Sequence, residues 1–154
     1  MRFVAVIGGS KAGRGFYKTA MQAGAEIAAR KAVLICGGLG GVMEAACRGA
    51  RRAGGMTVGI LPGKDRAGAN KYVKIAVATG MGPARNLVIV NSADGVLAID
   101  GKEGTLSEIA FTLKQKKPIV GIGTYDIKGI KKAASAKEAV ERLFKMMEAG
   151  KKRT

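Results

Sequence analysis

Short apolar segments alternate with amphipathic segments along this chain, and this alternation is the feature that most limits its fold. We predict strands at residues 3–9, 32–38, 57–63, 72–80, 95–100 and 118–123, and helices at 17–31, 41–55, 81–94, 104–117 and 135–150. Strands that are apolar throughout are typical of a parallel sheet covered by helices on both faces. The sequence therefore predicts one doubly wound, Rossmann-like α/β domain over residues 1–150, with a basic tail at 151–154.

Two helices are predicted on additional grounds. Segment 81–94 contains an apolar run that also suits a strand, but the next apolar run follows at once, and a helix between two parallel strands fits better. The last helix opens with Ser135 and, three residues later, Glu138, which is the capping-box pattern of a helix start.

A glycine motif occurs twice, each time where a predicted strand leads into a helix. Both copies read Ile-x-Gly-x-x-Gly-x-(Val/Leu)-x-Glu-x-Ala, one starting at Ile35 and the other at Ile99. The carboxyl ends of parallel strands meet at one edge of the sheet, which is also where ligands of such sheets bind. We therefore expect the loops 37–41 and 101–105 to open on the same edge and to share one ligand.

Glycine-rich loops follow the first, second and fifth strands as "GGSKAGRG", "GGLGG" and "DGKEGT". Glycine lets a ligand approach the backbone, and free N–H groups at a helix start favour an anion. None of these loops matches the spacing of a dinucleotide-binding fingerprint or a P-loop. Glycines that serve only close strand-to-helix packing are the alternative. The predicted phosphate-binding residues are Gly9, Ser10, Lys11, Gly37, Gly38, Gly40, Gly41, Glu44, Gly101, Lys102, Gly104 and Thr105.

The acids shared by the two motif copies are Glu44 and Glu108. Each also has a structural interpretation: Glu44 as an ion-pair partner of Arg48 one turn later, and Glu108 as the acid of a capping box with Thr105. Arg85 follows a Gly-Pro pair that favours a helix start, and its alternative is a role as an ordinary surface arginine.

Composition excludes several classes of protein. The chain has no histidine and two cysteines, so His-based zinc sites and Ser-His-Asp triads are absent, and we expect no metal site. The cysteines are predicted to be buried as small apolar residues. The lack of a long apolar run predicts a cytoplasmic protein with no membrane partner. A net charge of +16 favours phosphate-bearing ligands of any kind, nucleic acid included.

Three stretches of the chain resemble the LOG-like proteins, also called lysine decarboxylase-like. They are "VAVIGGSKAGRGFYKTAMQAGAEIAAR", "LICGGLGGVMEAACRGARRAGGMTVGILPG" and "GPARNLVIVNSADGVLAIDGKEGTLSEIAFTLKQKKPIVGI". Within that superfamily the chain most resembles the molybdenum-cofactor-carrier-like branch, whose short members carry GGxGGVMEA. This resemblance implies a Rossmann-like fold, a phosphorylated ligand, and a homo-oligomer that is a dimer or a tetramer.

The two branches of the resemblance imply different activities. LOG enzymes are phosphoribohydrolases that split nucleoside 5'-monophosphates into base and ribose 5-phosphate, whereas the carriers bind the phosphorylated pterin of molybdenum cofactor. The LOG motif, Pro-Gly-Gly-x-Gly-Thr-x-x-Glu, falls on residues 100–108, with Asp100 in place of proline and Lys102 in place of the second glycine. Its upstream arginine falls on Arg85, and Asn86 replaces the lysine that follows. The resemblance implies Arg85 and Glu108 as the catalytic pair.

We favour a protein that binds a nucleotide or phosphorylated cofactor on glycine-rich helix starts, with molybdenum cofactor or a nucleoside monophosphate as its ligand. A working phosphoribohydrolase is the first alternative. A module that binds single-stranded nucleic acid comes last, because it depends on charge alone and the few aromatic residues occupy core-like positions.

Overall fold

The computed structural model describes residues 1–151, which form one parallel seven-stranded sheet. Its strands are β1 (Phe3–Gly8), β2 (Val33–Cys36), β3 (Thr57–Leu61), β4 (Ile75–Ala78), β5 (Gly95–Ile99), β6 (Ile119–Ile122) and β7 (Lys131–Lys132). They lie in the order β4-β3-β2-β1-β5-β6-β7, and every neighbouring pair is parallel. The chain winds outward from β1 to β4, crosses back to β5 beside β1, and continues to the other edge. The strand order therefore reverses between β1 and β5.

Within residues 1–151, five helices cover the sheet: α1 (Arg14–Ala29), α2 (Val42–Arg52), α3 (Arg85–Ser92), α4 (Glu103–Lys114) and α5 (Ala136–Lys151). On one face, α1, α2 and α5 enclose a core that contains Val6, Leu34 and Leu97. On the other face, α3 and α4 enclose a core that contains Ile7, Ile35 and Ala98. Neighbouring residues of each strand thus point into opposite cores, which explains why these strands are apolar throughout. The predicted single α/β domain is confirmed.

The predicted elements are all present, with differences at their ends. Segment 81–94 is helical as predicted, with a short 3-10 turn (Gly82–Ala84) leading into α3. Helix α1 starts three residues earlier than predicted, and β4 occupies only the middle of predicted strand 72–80. Strand β7 was not predicted. Of the basic tail predicted at 151–154, Lys151 is the last residue of α5, and 152–154 lie outside the described residues.

The start of α5 confirms one capping prediction. Ser135 Oγ accepts a hydrogen bond from the Glu138 backbone N–H at 3.2 Å, as a capping box requires. The Glu138 carboxylate returns to the backbone N–H of Ala134, at 3.0 Å, one residue earlier than expected. Both contacts satisfy N–H groups that an isolated helix end would leave to water.

Helices α1 and α2 cross with their backbones in direct contact. A Cβ placed on Gly49 would lie 1.8 Å from the Met21 carbonyl oxygen, and one placed on Gly24 would lie 1.9 Å from the Ala46 carbonyl oxygen. No side chain fits at either position, so each glycine is required by the other helix.

The carboxyl end of α3 is held by a lysine from another part of the chain. Lys117, just before β6, donates to the carbonyl oxygens of Val90, Asn91 and Ala93 at 2.6, 3.0 and 2.8 Å. An ammonium group at this end satisfies carbonyls that lack helical partners and complements the helix dipole. The first residue of the same helix is Arg85, so Lys117 secures the element that positions it.

The two edges of the sheet differ in chemistry. The β4 edge exposes Ile75 and Val77, which retain 48% and 42% of their accessible surface. The β7 edge consists of Lys131 and Lys132, both exposed. None of the described helices has the length and apolarity needed to cross a membrane.

Candidate phosphate-binding site

A cavity of about 510 Å³ opens at the carboxyl edge of the sheet, where the strand order reverses. Its volume falls within the range of about 300 to 1,000 Å³ that is usual for small-molecule sites. The loops after β1, β2, β3 and β5 and the starts of α2, α3 and α4 form its walls. The lining residues are Gly8, Gly9, Ser10, Lys11, Leu39, Met43, Pro62, Gly82, Pro83, Arg85, Asn86, Lys102, Glu103, Gly104, Thr105 and Glu108.

The turn between β5 and α4 points the start of α4 into this cavity. Asp100 has a positive φ of 52° and Gly101 one of 133°, so two successive residues leave the usual backbone regions. A Cβ on Gly101 would lie 2.6 Å from Thr105 Cγ2, and therefore only glycine fits against the first turn. The first N–H groups of a helix lack partners within the helix and carry partial positive charge. The start of α4 is thus suited to an anionic oxygen.

Arg85, the first residue of α3, is the one basic residue buried among residues 1–150, with 8% of its surface exposed. Its guanidinium donates to the Asn86 side-chain oxygen and, at 3.4 Å, to the Gly37 carbonyl oxygen. Its Nε is buried and has no hydrogen-bond partner within the described chain. Arg85 is therefore not the solvated surface arginine that was its alternative interpretation.

Glu108 lies on α4 and faces Arg85 across the cavity wall. The distance from Arg85 Nη1 to Glu108 Oε1 is 4.0 Å, too long for a hydrogen bond, and Glu108 is only 6% exposed. Burial raises the pKa of Glu108 to about 8, and the Arg85 charge offsets only part of that rise. At neutral pH the side chain is therefore mostly an uncharged acid that can donate a proton or a hydrogen bond.

The predicted capping box of Glu108 with Thr105 is wrong. Helix α4 begins at Glu103, and its cap is Lys102, so Thr105 is already inside the first turn. Thr105 is buried and packs beneath Gly101, and Glu108 lies more than one turn from the helix start. Glu108 therefore does not close a capping box, and it lines the cavity instead.

Asn86 and Ser107 join the two helix starts and were not predicted as site residues. Asn86 Nδ2 donates to Ser107 Oγ at 3.0 Å, and Ser107 Oγ donates to the Gly104 carbonyl oxygen at 2.7 Å. The Asn86 side-chain oxygen accepts from Arg85. This network fixes the direction of the Arg85 guanidinium relative to α4. The one sequence signal for it was the position of Asn86 beside Arg85.

The loop after β2 lines the cavity with Leu39, and Met43 of α2 lines it as well, whereas Gly37, Gly38, Gly40 and Gly41 do not. A Cβ on Gly41 would lie 2.3 Å from the Gly9 carbonyl oxygen, and one on Gly40 would lie 2.9 Å from that of Ser10. The first N–H of α2, on Val42, donates to the Gly9 carbonyl oxygen at 3.0 Å. Close packing of two loops thus accounts for Gly40 and Gly41.

Glu44 also lies away from the cavity. Its carboxylate accepts a hydrogen bond from the Tyr17 hydroxyl at 3.1 Å, which joins α2 to α1. The predicted ion pair with Arg48 is not formed within 4.0 Å. The two motif copies therefore differ: the copy that starts at Ile99 lines the cavity with its acid, Glu108, whereas the copy that starts at Ile35 lines it with Leu39 and Met43 but not with its acid.

Comparison with known proteins identifies the family. The model of the SLOG cluster4 family, within the LOG-like superfamily, matches residues 1–151. The chain belongs to the SLOG cluster4 family. The resemblance found in the sequence is confirmed, and so is the Rossmann-like architecture it implied.

Solved structures with the same fold are similar to this SLOG cluster4 chain over nearly its whole length. The molybdenum cofactor binding protein of the phototrophic bacterium Rippkaea orientalis is 35% identical, covers 95% of this chain and 97% of its own, and has a TM-score of 0.89. The Moco carrier protein of Chlamydomonas reinhardtii is 31% identical, covers 96% and 98%, and has a TM-score of 0.88. An uncharacterised protein of Archaeoglobus fulgidus is 44% identical over 119 residues, 77% of this SLOG cluster4 chain and 78% of that protein.

Proposed function

We propose that this chain binds a phosphorylated small molecule in the cavity at the carboxyl edge of the sheet. The observation that carries this proposal is Arg85, a buried guanidinium in the cavity wall whose Nε lacks a partner. A buried donor without a partner is costly, and an anionic oxygen of a ligand removes that cost. Gly104 and Thr105 at the start of α4 would supply backbone N–H groups. Lys11 and Lys102, both exposed at the rim, would add positive charge.

The ligand class that fits is a nucleotide or a phosphorylated pterin, with molybdenum cofactor as a cargo carried in the cytoplasm. Support comes from the solved relatives, which are described as a molybdenum cofactor binding protein and a Moco carrier protein. The donor set agrees, because basic side chains and a helix start surround the cavity and the buried carboxyl of Glu108 is mostly neutral at pH 7. In this binding role Gly9 and Ser10 let the phosphate approach the loop after β1.

A second candidate, phosphoribohydrolase activity, is favoured by one observation: Glu108 is a protonated acid about 4.0 Å from Arg85 in the same cavity. Such an acid could protonate a departing base, and its carboxylate could then stabilise the cationic sugar and orient water. Replacement of Glu108 by glutamine would remove both steps. Release of ribose 5-phosphate should then fall by about 100-fold or more while ligand still binds.

The decisive experiment is native mass spectrometry of freshly purified full-length protein, followed by identification of any bound ligand. The proposal expects a co-purifying nucleotide or phosphorylated pterin, and titration with nucleoside monophosphates should give saturable binding at one site. Ribose 5-phosphate release from the wild type would establish the enzyme, and its absence with intact binding would leave the carrier. Preferential binding of single-stranded DNA, with a steep dependence on salt, would replace both with a nucleic-acid module.

Affinity for a phosphate monoester is expected to fall about tenfold between pH 7 and pH 9. Below pH 8 Glu108 is mostly neutral, and above it the carboxylate lies close to the proposed anion site and repels the ligand. Glu108→Gln should bind with nearly constant affinity across this range. Glu103→Gln is the matched control, since it removes an exposed carboxylate of the same cavity and should leave the wild-type pH dependence. Titration calorimetry at several pH values measures both.

The same titration has a consequence for stability. The unfolded chain releases the Glu108 proton near pH 4.5, whereas the folded chain keeps it to about pH 8. The free energy of unfolding should therefore decrease as pH rises through this window and level off above it. A loss in Glu108→Gln that equals or exceeds the loss in the wild type would show that the carboxyl is not protonated as proposed.

We further propose that the chain forms a homo-oligomer, a dimer or a tetramer, through the exposed side of α3 and α4. Leu87 on α3 and Leu106 on α4 remain 37% and 38% exposed on two adjacent helices. Exposed large apolar side chains on neighbouring helices are a common feature of contacts between subunits. Light scattering coupled to size-exclusion chromatography gives the mass directly, and Leu106→Glu should shift it toward the monomer.

A further inference from the structure

The two cysteines of the chain form a buried pair that the proposed ligand site does not use. Cys36 ends β2 and Cys47 lies on α2, and both side chains are fully buried. Their Sγ atoms are 3.5 Å apart, within the distance of a thiol hydrogen bond. Burial as small apolar residues was predicted for each of them, but their contact could not be, because it depends on how α2 packs over the end of β2.

The surroundings make the two sulfurs chemically different. Cys36 Sγ accepts a hydrogen bond from the Gly38 backbone N–H at 3.3 Å. The hydrogen bond from Cys47, helped by Gly38 and the nearby Arg85 charge, lowers the pKa of Cys36 despite its burial. The same hydrogen bond, together with burial, raises the pKa of Cys47. Cys36 is thus the more acidic of the two thiols, and Cys47 Sγ lies 3.5 Å from it, in position to complete a disulfide.

We propose that Cys36 and Cys47 form a disulfide when the protein meets a peroxide, and that this bond staples α2 to β2. The Cys36 thiolate attacks one peroxide oxygen, the O–O bond breaks, and hydroxide leaves, which yields a sulfenic acid. The Cys47 sulfur then attacks the sulfenic sulfur, and water leaves with the Cys47 proton. In total, two thiols and one hydrogen peroxide give one disulfide and two waters. The sulfurs must approach by about 1.5 Å to reach the ~2.05 Å bond.

The cross-link would close a short loop that contains part of the cavity wall. Residues 37–41 and Met43 lie between the two cysteines, and Leu39 and Met43 line the cavity. A disulfide across a loop of this length reduces the freedom of the unfolded chain and of the loop itself. The oxidised protein should therefore have a more stable site wall, and its melting temperature should be about 5 to 10 °C higher.

The experiment treats the full-length protein with hydrogen peroxide, quenches it, and compares it with a reduced sample. Intact mass under denaturing conditions should decrease by about 2 Da, and a proteolytic digest should contain the peptides of Cys36 and Cys47 joined. The melting temperature should rise, and a reducing agent should reverse both changes. Cys47→Ala is the control: it should show neither the mass decrease nor the reversible rise in melting temperature.

Three results would overturn the proposal. One is that both thiols still react with an alkylating agent after oxidation and denaturation. Another is that the mass increases in steps of about 16 Da without a joined peptide, which would mean that Cys36 is oxidised but Cys47 does not complete the bond. The third is a joined peptide with an unchanged or lower melting temperature, because the bond would then strain the wall that it is proposed to stabilise.

Discussion

Replacing Arg85 with alanine is expected to weaken the binding of a nucleoside monophosphate by about 100-fold. Among the described residues, Arg85 is the only buried basic residue that lines the cavity, so its interaction with an anion is little weakened by water or salt. Hydrogen bonds to charged groups contribute about 1.5 to 3 kcal/mol, which corresponds to a factor of roughly 10 to 150 in affinity. Titration calorimetry at pH 7 measures the loss directly.

Two further variants separate charge from packing. Arg85→Met keeps much of the aliphatic volume without the guanidinium, and it should lose nearly as much affinity as the alanine variant. Lys11→Ala removes an exposed charge from the same cavity and should cost less than about fivefold. Thermal melts of all three variants show whether the fold is intact. Unchanged affinity in Arg85→Met would place the phosphate elsewhere.

Replacing Gly49 with alanine is expected to lower the free energy of unfolding by about 2 to 3 kcal/mol. The new Cβ would lie 1.8 Å from the Met21 carbonyl oxygen, so α1 and α2 must move apart along their crossing. Overpacking of this kind typically costs 1 to 3 kcal/mol, and here the obstacle is backbone, which cannot rotate away. Alanine's better helix propensity returns at most about 1 kcal/mol. The melting temperature should fall by roughly 5 to 10 °C.

Gly15→Ala provides the matched control in the other helix of the pair. Gly15 lies near the start of α1, is exposed, and a Cβ there meets no atom within 4 Å. The same chemical change should leave stability unchanged or slightly increase it. If both variants lost stability equally, the loss would come from backbone effects of alanine and not from the helix crossing.

The strands and helices could be predicted because burial on both sides of a parallel sheet leaves continuous apolar segments. Strand β7 could not, since it consists of two exposed lysines and has no apolar signal. The start of α1 at Arg14 was missed because Gly13, Arg14 and Gly15 carry no N-cap side chain or other signal of a helix start. Local sequence thus predicted the strands and helices that are marked by buried apolar residues. It missed the exposed strand β7 and the uncapped start of α1, because neither carries a local signal.

The sequence also predicted which edge of the sheet holds the cavity, but it did not predict which loops at that edge contribute most to the cavity lining. A local sequence pattern does not reveal the order of the strands in the sheet. That order places the loops after β1 and β5 side by side, where the strand order reverses. The loop after β2 lies one strand farther away, so the glycines and the acid of the first motif copy do not line the cavity. The approach of Arg85 and Glu108 to 4.0 Å was not predictable either, because it depends on how α3 and α4 pack together.

The unequal edges of the sheet limit how copies of this domain can pair by their strands. Growth of a β-structured fibre requires that each copy offer two receptive edges, one for the copy before it and one for the copy after it. Here β4 presents apolar Ile75 and Val77, while β7 presents two adjacent lysines on two residues of strand. A pairing of two β4 edges would leave only lysine-bearing ends facing outward. Strand-mediated association of this fold would therefore terminate at two copies and not propagate into a filament.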